Sequence, residues 1–444
     1  MMAAHTESPG AAETIGQLRR TDVLIAAVIA VACGLVYGWL AILLSQSHYG
    51  NVDNLAFDFD ARLYLCTYAD SPMAMGGIKH PLIVLLRPAV QALIYLGLPP
   101  RAAAGLWMAA IGGAGVGLWY LLLRAISVAH VIAIPFTLLF AVSATQLFVS
   151  MIPEAYGPAG MALVGLWLLT ALRLNAPTAG GIWRYVVAFA TFGITITNVA
   201  QSFIAEFLVW YRNDTLIGAI RRTAVFGIRF AGLLALLLLV VWHSVVWQVV
   251  SNPVHFVKSA WWLQTFGEKA GLKPILMTFV EYVTVAPDYV WVPIVDGWDM
   301  RDFRAPLYSP IGFAAVAGWL LLLASGIVCG LRDRGMRWLT IGLLVAFVFN
   351  VLLHTRFQYR LSLFIYTSHV LILVFALAAG VARVASRRTG TATAMGLAIL
   401  LLFMLVGTNN LPVAAAFAHD FRSPVIPAPQ DCAGYASGST DGQQ

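Results

Sequence analysis

The sequence predicts an all-α polytopic membrane protein of about eleven transmembrane helices, a number set by the roughly 20 apolar residues each span needs. Three observations carry the prediction. Of 444 residues, 60% are hydrophobic and 11% charged, less than half of the roughly 25% charge of a soluble domain; the mean hydropathy is +0.82. The apolar residues fall into long runs rather than short periodic stretches. The basic residues recur in short clusters between those runs, which is the pattern of membrane topology.

The runs place spans near 22–45, 103–123, 129–150, 156–173, 185–200, 223–249, 310–331, 338–354, 361–383 and 392–416, with 201–211 completing a hairpin. Residues 1–21 precede the first run as a cytoplasmic segment ending in Arg19-Arg20, and the run is too long for a cleaved signal. The stretch 81–98 carries Pro81, Arg87, Pro88 and Gln91 and reads as a helix lying at the interface. Kept outside, it leaves Arg124, Arg173, Arg184, Arg212, Arg221-Arg222, Arg332, Arg334, Arg337, Arg383 and Arg387-Arg388 on the cytoplasmic side. Counted as a span, it would export most of them.

This arrangement gives a transmembrane domain over 22–417 with two long outer loops, 46–102 and 250–308, and a Pro/Gly/Ser-rich tail, 418–444, that reads as disordered. The outer face is the periplasm if the cell is Gram-negative. A net charge of +7 and a pI near 9.3 do not indicate nucleic acid, because the basic residues form no single patch. Cys33, Cys66, Cys329 and Cys432 lack metal-ligand spacing; Cys66 and Cys432 can meet only in an oxidising compartment. No fixed-period repeat is visible, and the spans show no paired Gly/Pro interruptions of the kind transporters with discontinuous helices carry.

The acidic residues collect outside. In FDFDAR, Asp58 and Asp60 project to one side of an extended chain. Such a pair raises its own pKa, binds a divalent cation such as Mg or Mn, or simply forms turns. The flanking Phe57, Phe59, Leu63 and Tyr64 are expected to press the loop onto the membrane surface. GGIKHPL supplies Lys79 and His80, a phosphate-binding pair or a headgroup anchor. MIPEAYG puts Glu154 at a membrane boundary, as a cap or as a second acid. HTRFQYRLSLFIYTSH places His354, Arg356, Arg360 and His369 at the outer start of the tenth span, where arginines against the positive-inside trend want an anionic partner. Glu206, inside the short hairpin, is expected to pair with Asn198 or Gln201 or to stay wet.

The order of these features resembles the GT-C-fold glycosyltransferases, which include protein O-mannosyltransferases and aminoarabinose transferases of lipid A. Lys79-His80-Pro81 is similar to the Lys-Pro-Pro or His-Pro-Pro step that follows the acidic loop in that family. The resemblance implies a polyprenyl-phosphate sugar donor, inversion at the anomeric carbon, and a glycan, lipid or protein acceptor. It implies that Asp58 or Asp60 is the base or holds a metal, that Glu154 is a second acid, and that Lys79, Arg356 and Arg360 hold the donor phosphate. This chain departs from the family in having DFD for an adjacent acidic pair and in lacking a large soluble C-terminal domain. The rival expectation is a transporter or flippase of a lipid-linked or anionic substrate.

Overall fold

The protein was analysed as a computed structural model that describes residues 18–51, 53, 55–69, 80, 83–241, 251, 271–293, 299–356 and 362–421. In chain order the helices are α1 (Arg20–Ser45), α2 (Ala61–Ala69), α3 (Arg87–Tyr95), α4 (Pro100–Ala125), α5 (His130–Ala141), α6 (Ala144–Met151), α7 (Tyr156–Arg173), α8 (Trp183–Ile194), α9 (Val199–Asn213) and α10 (Leu216–Val241). They continue with α11 (Leu272–Met277), α12 (Pro310–Arg332), α13 (Arg337–Arg356), α14 (Ser368–Ala385) and α15 (Thr389–Asp420). The protein is predominantly helical, as a multi-pass membrane protein is. Among the described residues seven helices are long and apolar enough to cross a membrane, and α5 with α6, bent by 57°, makes eight if the pair is one span.

The remaining runs form shorter helices. α8 and α9 have 12 and 15 residues, short of the roughly 20 a span needs, and a turn at Ile196–Asn198 separates them. The stretch expected at the interface is a turn, Ile83–Leu86, leading into the nine-residue α3. The last helix runs on to Asp420, past the expected boundary at 417. Among the described residues two strands, β1 (Val290–Pro293) and β2 (Asp299–Asp302), pair antiparallel between α11 and α12.

The break between α5 and α6 has a clear cause. Ser143 caps α6, its hydroxyl accepting from the Gln146 N–H. The freed backbone groups turn to the second outer loop, where Ala144 N–H donates to Thr284 O at 3.0 Å and Thr145 N–H to Val283 O at 3.2 Å. Buried Asn410 of α15 completes the junction. Its Nδ2 donates to Val142 O and Thr284 O at 2.8 and 2.7 Å, and its Oδ1 accepts from Ala286 N–H at 2.9 Å. Broken backbone is tolerated at membrane depth only when protein satisfies it, and here it does.

α14 is the central helix, with 89% of its span buried. Without a hydrophobic drive between helices in lipid, small residues allow the backbones to approach. α12 and α14 use Gly326, Gly330 and Gly380: a Cβ added at Gly380 would sit 2.1 Å from Gly326 O. The outward faces of α1, α13 and α15 expose Val28, Leu35, Val348, Leu352, Leu397 and Leu401, an inverted surface suited to lipid.

Glu206 pairs with neither Asn198 nor Gln201. Its carboxylate accepts from Arg173 at 2.5 and 3.2 Å, from Arg184 at 3.1 Å and from Trp210 Nε1 at 2.8 Å. Gln201 instead accepts from Trp167 Nε1 and donates to His369 O, both at 3.1 Å.

Candidate functional site

The DFD motif does not lie extended on a surface. Phe57 and Asp58 adopt left-handed φ values of 51° and 62°, a conformation that costs side-chain-bearing residues energy and persists where surroundings impose it. Two restraints impose it here. Phe57 N–H donates to Arg301 O at 2.8 Å and Arg301 N–H to Leu55 O at 3.1 Å, so the first outer loop adds to the edge of β2. The Phe57 ring then packs between Phe148, Phe303, Phe364 and Phe417, with centroids 5.1, 4.8, 4.6 and 5.5 Å away. The aromatic residues thus dock the loop into protein rather than onto lipid, and the segments around Phe57 and Arg301 meet at this point.

The turn separates the two aspartates. Asp58 is 1% exposed and its N–H contacts Met300 Sδ at 3.1 Å, whereas Asp60 is half-buried just ahead of α2. Asp53 accepts from Leu63 N–H at 3.0 Å in the first turn of α2, so it acts as a helix cap.

Glu154, between α6 and α7, is 2% exposed. Its Oε1 accepts from Ala155 N–H at 3.1 Å, and its buried Oε2 accepts no well-formed hydrogen bond among the described residues. Burial pushes this carboxyl well above the ordinary range, and the nearby charges of Asp60 and Asp53 add to the rise. The Ala155 N–H and the Tyr64 hydroxyl oppose it without reversing it. Glu154 is therefore a carboxyl whose ionisation the fold resists, beside half-buried Asp60, two carboxyls in contrasting environments. The same burial and the same carboxylates push the Tyr64 phenol up.

Three histidines converge on Tyr156. His80 and His369 lie 6.4 and 5.4 Å from its ring, and His354 stacks on Tyr366 at 4.1 Å and lies 5.9 Å from His369. His80 Nδ1 donates to the Ile194 carbonyl, and a carbonyl can only accept, so the proton sits on Nδ1. Both ring nitrogens of His369 are buried without a hydrogen-bond partner among the described residues. Asp60, Glu154, His80, His354 and His369, drawn from distant stretches of chain, thus share one region. Arg356 does not join it: two residues past buried His354 the helix turns it outward, where it is exposed. Lys79 and Arg360 lie outside the described residues. Among the described residues no three His, Cys, Asp or Glu side chains group as a metal site.

The sequence reading missed two cations. Arg62 of α2 and Arg101 at the start of α4 share a groove of about 610 Å³ whose apolar walls include Ile42, Leu65, Leu98 and Leu106. Arg101 is held by Ser47 O at 3.0 Å and Asn51 Oδ1 at 2.5 Å. A smaller hollow that shares Ser45, Leu65 and Arg101 with the groove reaches Met151 and Pro153, the residues leading into Glu154. The signal for Arg101 was available, since it is an arginine at an outer boundary, the same argument that singled out Arg356. Cys66 of α2 is disulfide-bonded and Cys33 and Cys329 are free; Cys432 lies outside the described residues.

The arrangement can take a proton at Asp60, hold one at Glu154 and receive an anion on an apolar tail at Arg62 and Arg101. No family model matches the chain, and no curated protein matches it.

Proposed function

We propose that this protein is an inverting membrane glycosyltransferase, moving a sugar from a polyprenyl-phosphate donor to a glycan, lipid or protein acceptor at the outer face of the cytoplasmic membrane. The observation that carries the reading is an Asp60/Glu154 carboxyl pair whose chain neighbours, Arg62 and Pro153, line adjoining hollows, the larger an apolar-walled groove bearing Arg62 and Arg101. A phosphate on an isoprenoid tail needs apolar walls for the tail and cations for the headgroup. A sugar leaving that phosphate needs a base beside it.

In the reaction, Asp60 takes the proton of the acceptor hydroxyl as its oxygen attacks the anomeric carbon from the face opposite the phosphate. The new carbon–oxygen bond forms and the bond to phosphate breaks, its electron pair leaving on the phosphate oxygen and the configuration inverting. Arg62 and Arg101 stabilise that developing charge, with Lys79 and Arg360 as further candidates from the sequence. Glu154, kept protonated, lowers the local negative charge and leaves Asp60 as the ionised member of the pair.

Supporting the outward orientation, a disulfide-bonded Cys66 fits an oxidising compartment, and the arginine bias favours a cytoplasmic N-terminus. The broken α5–α6 run is the feature that favours a transporter. Its free backbone groups, however, are taken up by Thr284, Val283 and Asn410 rather than turned toward a ligand.

The test is release of polyprenyl phosphate from radiolabelled polyprenyl-phosphate sugars by the purified protein. Asp60→Asn should lower transfer by about 10²–10⁴-fold, the range of a lost general base, with donor still bound, whereas Asp53→Asn retains its cap and most activity. Loss of activity in EDTA, restored by Mg or Mn, would assign a cation to Asp58 and Asp60. Normal turnover by Asp60→Asn and Glu154→Gln refutes the mechanism, and movement of intact donor across vesicles without release would make the protein a transporter.

A further inference from the structure

Away from the outer site, α10 carries a second basic hollow. Gly218, Arg221, Arg222, Val225, Phe226 and Arg229 follow the three- and four-residue spacing of a single helix face. They line a space of about 600 Å³ against Arg184 and Trp210.

The charges do not balance. Asp214 pairs with Arg222 at 2.9 Å, and Arg222 lies 4.3 Å over the Trp210 ring. Glu206 is shared by Arg173 and Arg184. Five arginines therefore meet two acids, leaving three positive charges uncompensated (5 − 2 = 3). Arg221 and Arg229 are exposed, and neither has an ion pair or side-chain hydrogen bond among the described residues.

Position makes this costly. α10 is the least buried of the apolar helices, with 11% of its span covered. Arg229 lies eight residues beyond Arg221, about 12 Å further along the axis. A cation that far into a lipid-facing helix demands an anion or access to the interface. Val225, exposed between the arginines and backed by buried Phe226, offers apolar surface for an acyl chain.

We infer that this hollow binds the phosphate headgroup of an anionic membrane lipid from the leaflet that Arg221 and Arg222 face, with Arg221 and Arg229 contacting the phosphate. The inference needs α10 to cross a membrane but is independent of the proposed transferase activity.

The full chain in nanodiscs of phosphatidylcholine, with and without phosphatidylglycerol, tests it by native mass spectrometry and apparent Tm. Phosphatidylglycerol should remain bound and raise Tm, whereas inorganic phosphate should do neither. The double variant Arg221→Gln/Arg229→Gln should lose about tenfold or more in phosphatidylglycerol retention. Arg332→Gln, a charge removed from exposed helix outside the hollow, should retain the lipid like the parent. Equal retention by the double variant, an equal loss in Arg332→Gln, or equal stabilisation by free phosphate would each overturn the inference.

Discussion

Replacing Glu154 by Gln tests the electrostatics of the site without requiring a substrate. The carboxyl ionises near 4.5 in an unfolded chain and well above that in the fold, because burial and Asp60 disfavour its charge. Between those two values the folded state holds a proton that the unfolded state has released. Stability conferred by the protonated acid is therefore complete below 4.5 and falls as pH rises, by about 1.4 kcal/mol per pH unit, until the folded pKa is reached. Glutamine keeps the shape and cannot titrate, so this slope disappears. Other groups contribute to the parent's profile: burial pushes the Asp302 carboxyl up to about 6 despite its ion pair with Arg304. They cancel in the difference between parent and variant. The measurement is apparent Tm of the detergent-solubilised protein at pH 5, 6 and 7 for both. The variant should gain on the parent steadily as pH rises; parallel profiles would mean that Glu154 is ionised in the fold and that the acid–base division in the site is wrong.

Glu206→Ala leaves Arg173 and Arg184 without their carboxylate and should cost about 3–5 kcal/mol, read as a lower apparent Tm, while Glu206→Gln should cost less. Gly380→Ala puts a methyl group 2.1 Å from Gly326 O, so α12 and α14 must part; overpacking of this kind costs about 1–3 kcal/mol, and an unchanged Tm would contradict the close approach. For sidedness, Asn54→Cys should react with a membrane-impermeant thiol reagent in intact cells or spheroplasts and Arg334→Cys should not; the reverse pattern would move the candidate site to the cytoplasm.

Composition alone determined that the chain is helical and built for a membrane, because a surface so poor in charge cannot face water. The ends of α1, α4, α12, α13 and α15 were legible within a few residues, since a long apolar run bounded by polar residues leaves little choice. The run at 129–150 was not: its break at Val142–Ser143 depends on Thr284 and Asn410, which lie far away in sequence. In 185–211 a hairpin was expected after residue 200, and the break falls at Thr195–Asn198. The acidic loop was visible as a motif, and its aromatic neighbours were seen to be docking residues. What they dock against depended on Phe148, Phe303, Phe364 and Phe417 converging from four parts of the chain.

The same division holds for the site. Which residue types carry charge at the outer boundary is a property of the sequence, so Asp60, Glu154, His80, His354 and His369 were all found there. Which of them meet is a property of packing. A left-handed turn at Phe57 and Asp58 buries one aspartate and leaves Asp60 half-buried, and about half a helical turn aims His354 inward and Arg356 outward. Folding sets Arg62 and Arg101, 39 residues apart, in a single groove. Hydropathy is a sum over local residues and can be read from a linear sequence. The pKa of Glu154 and the direction of an arginine depend on non-local neighbours, which only the tertiary structure supplies.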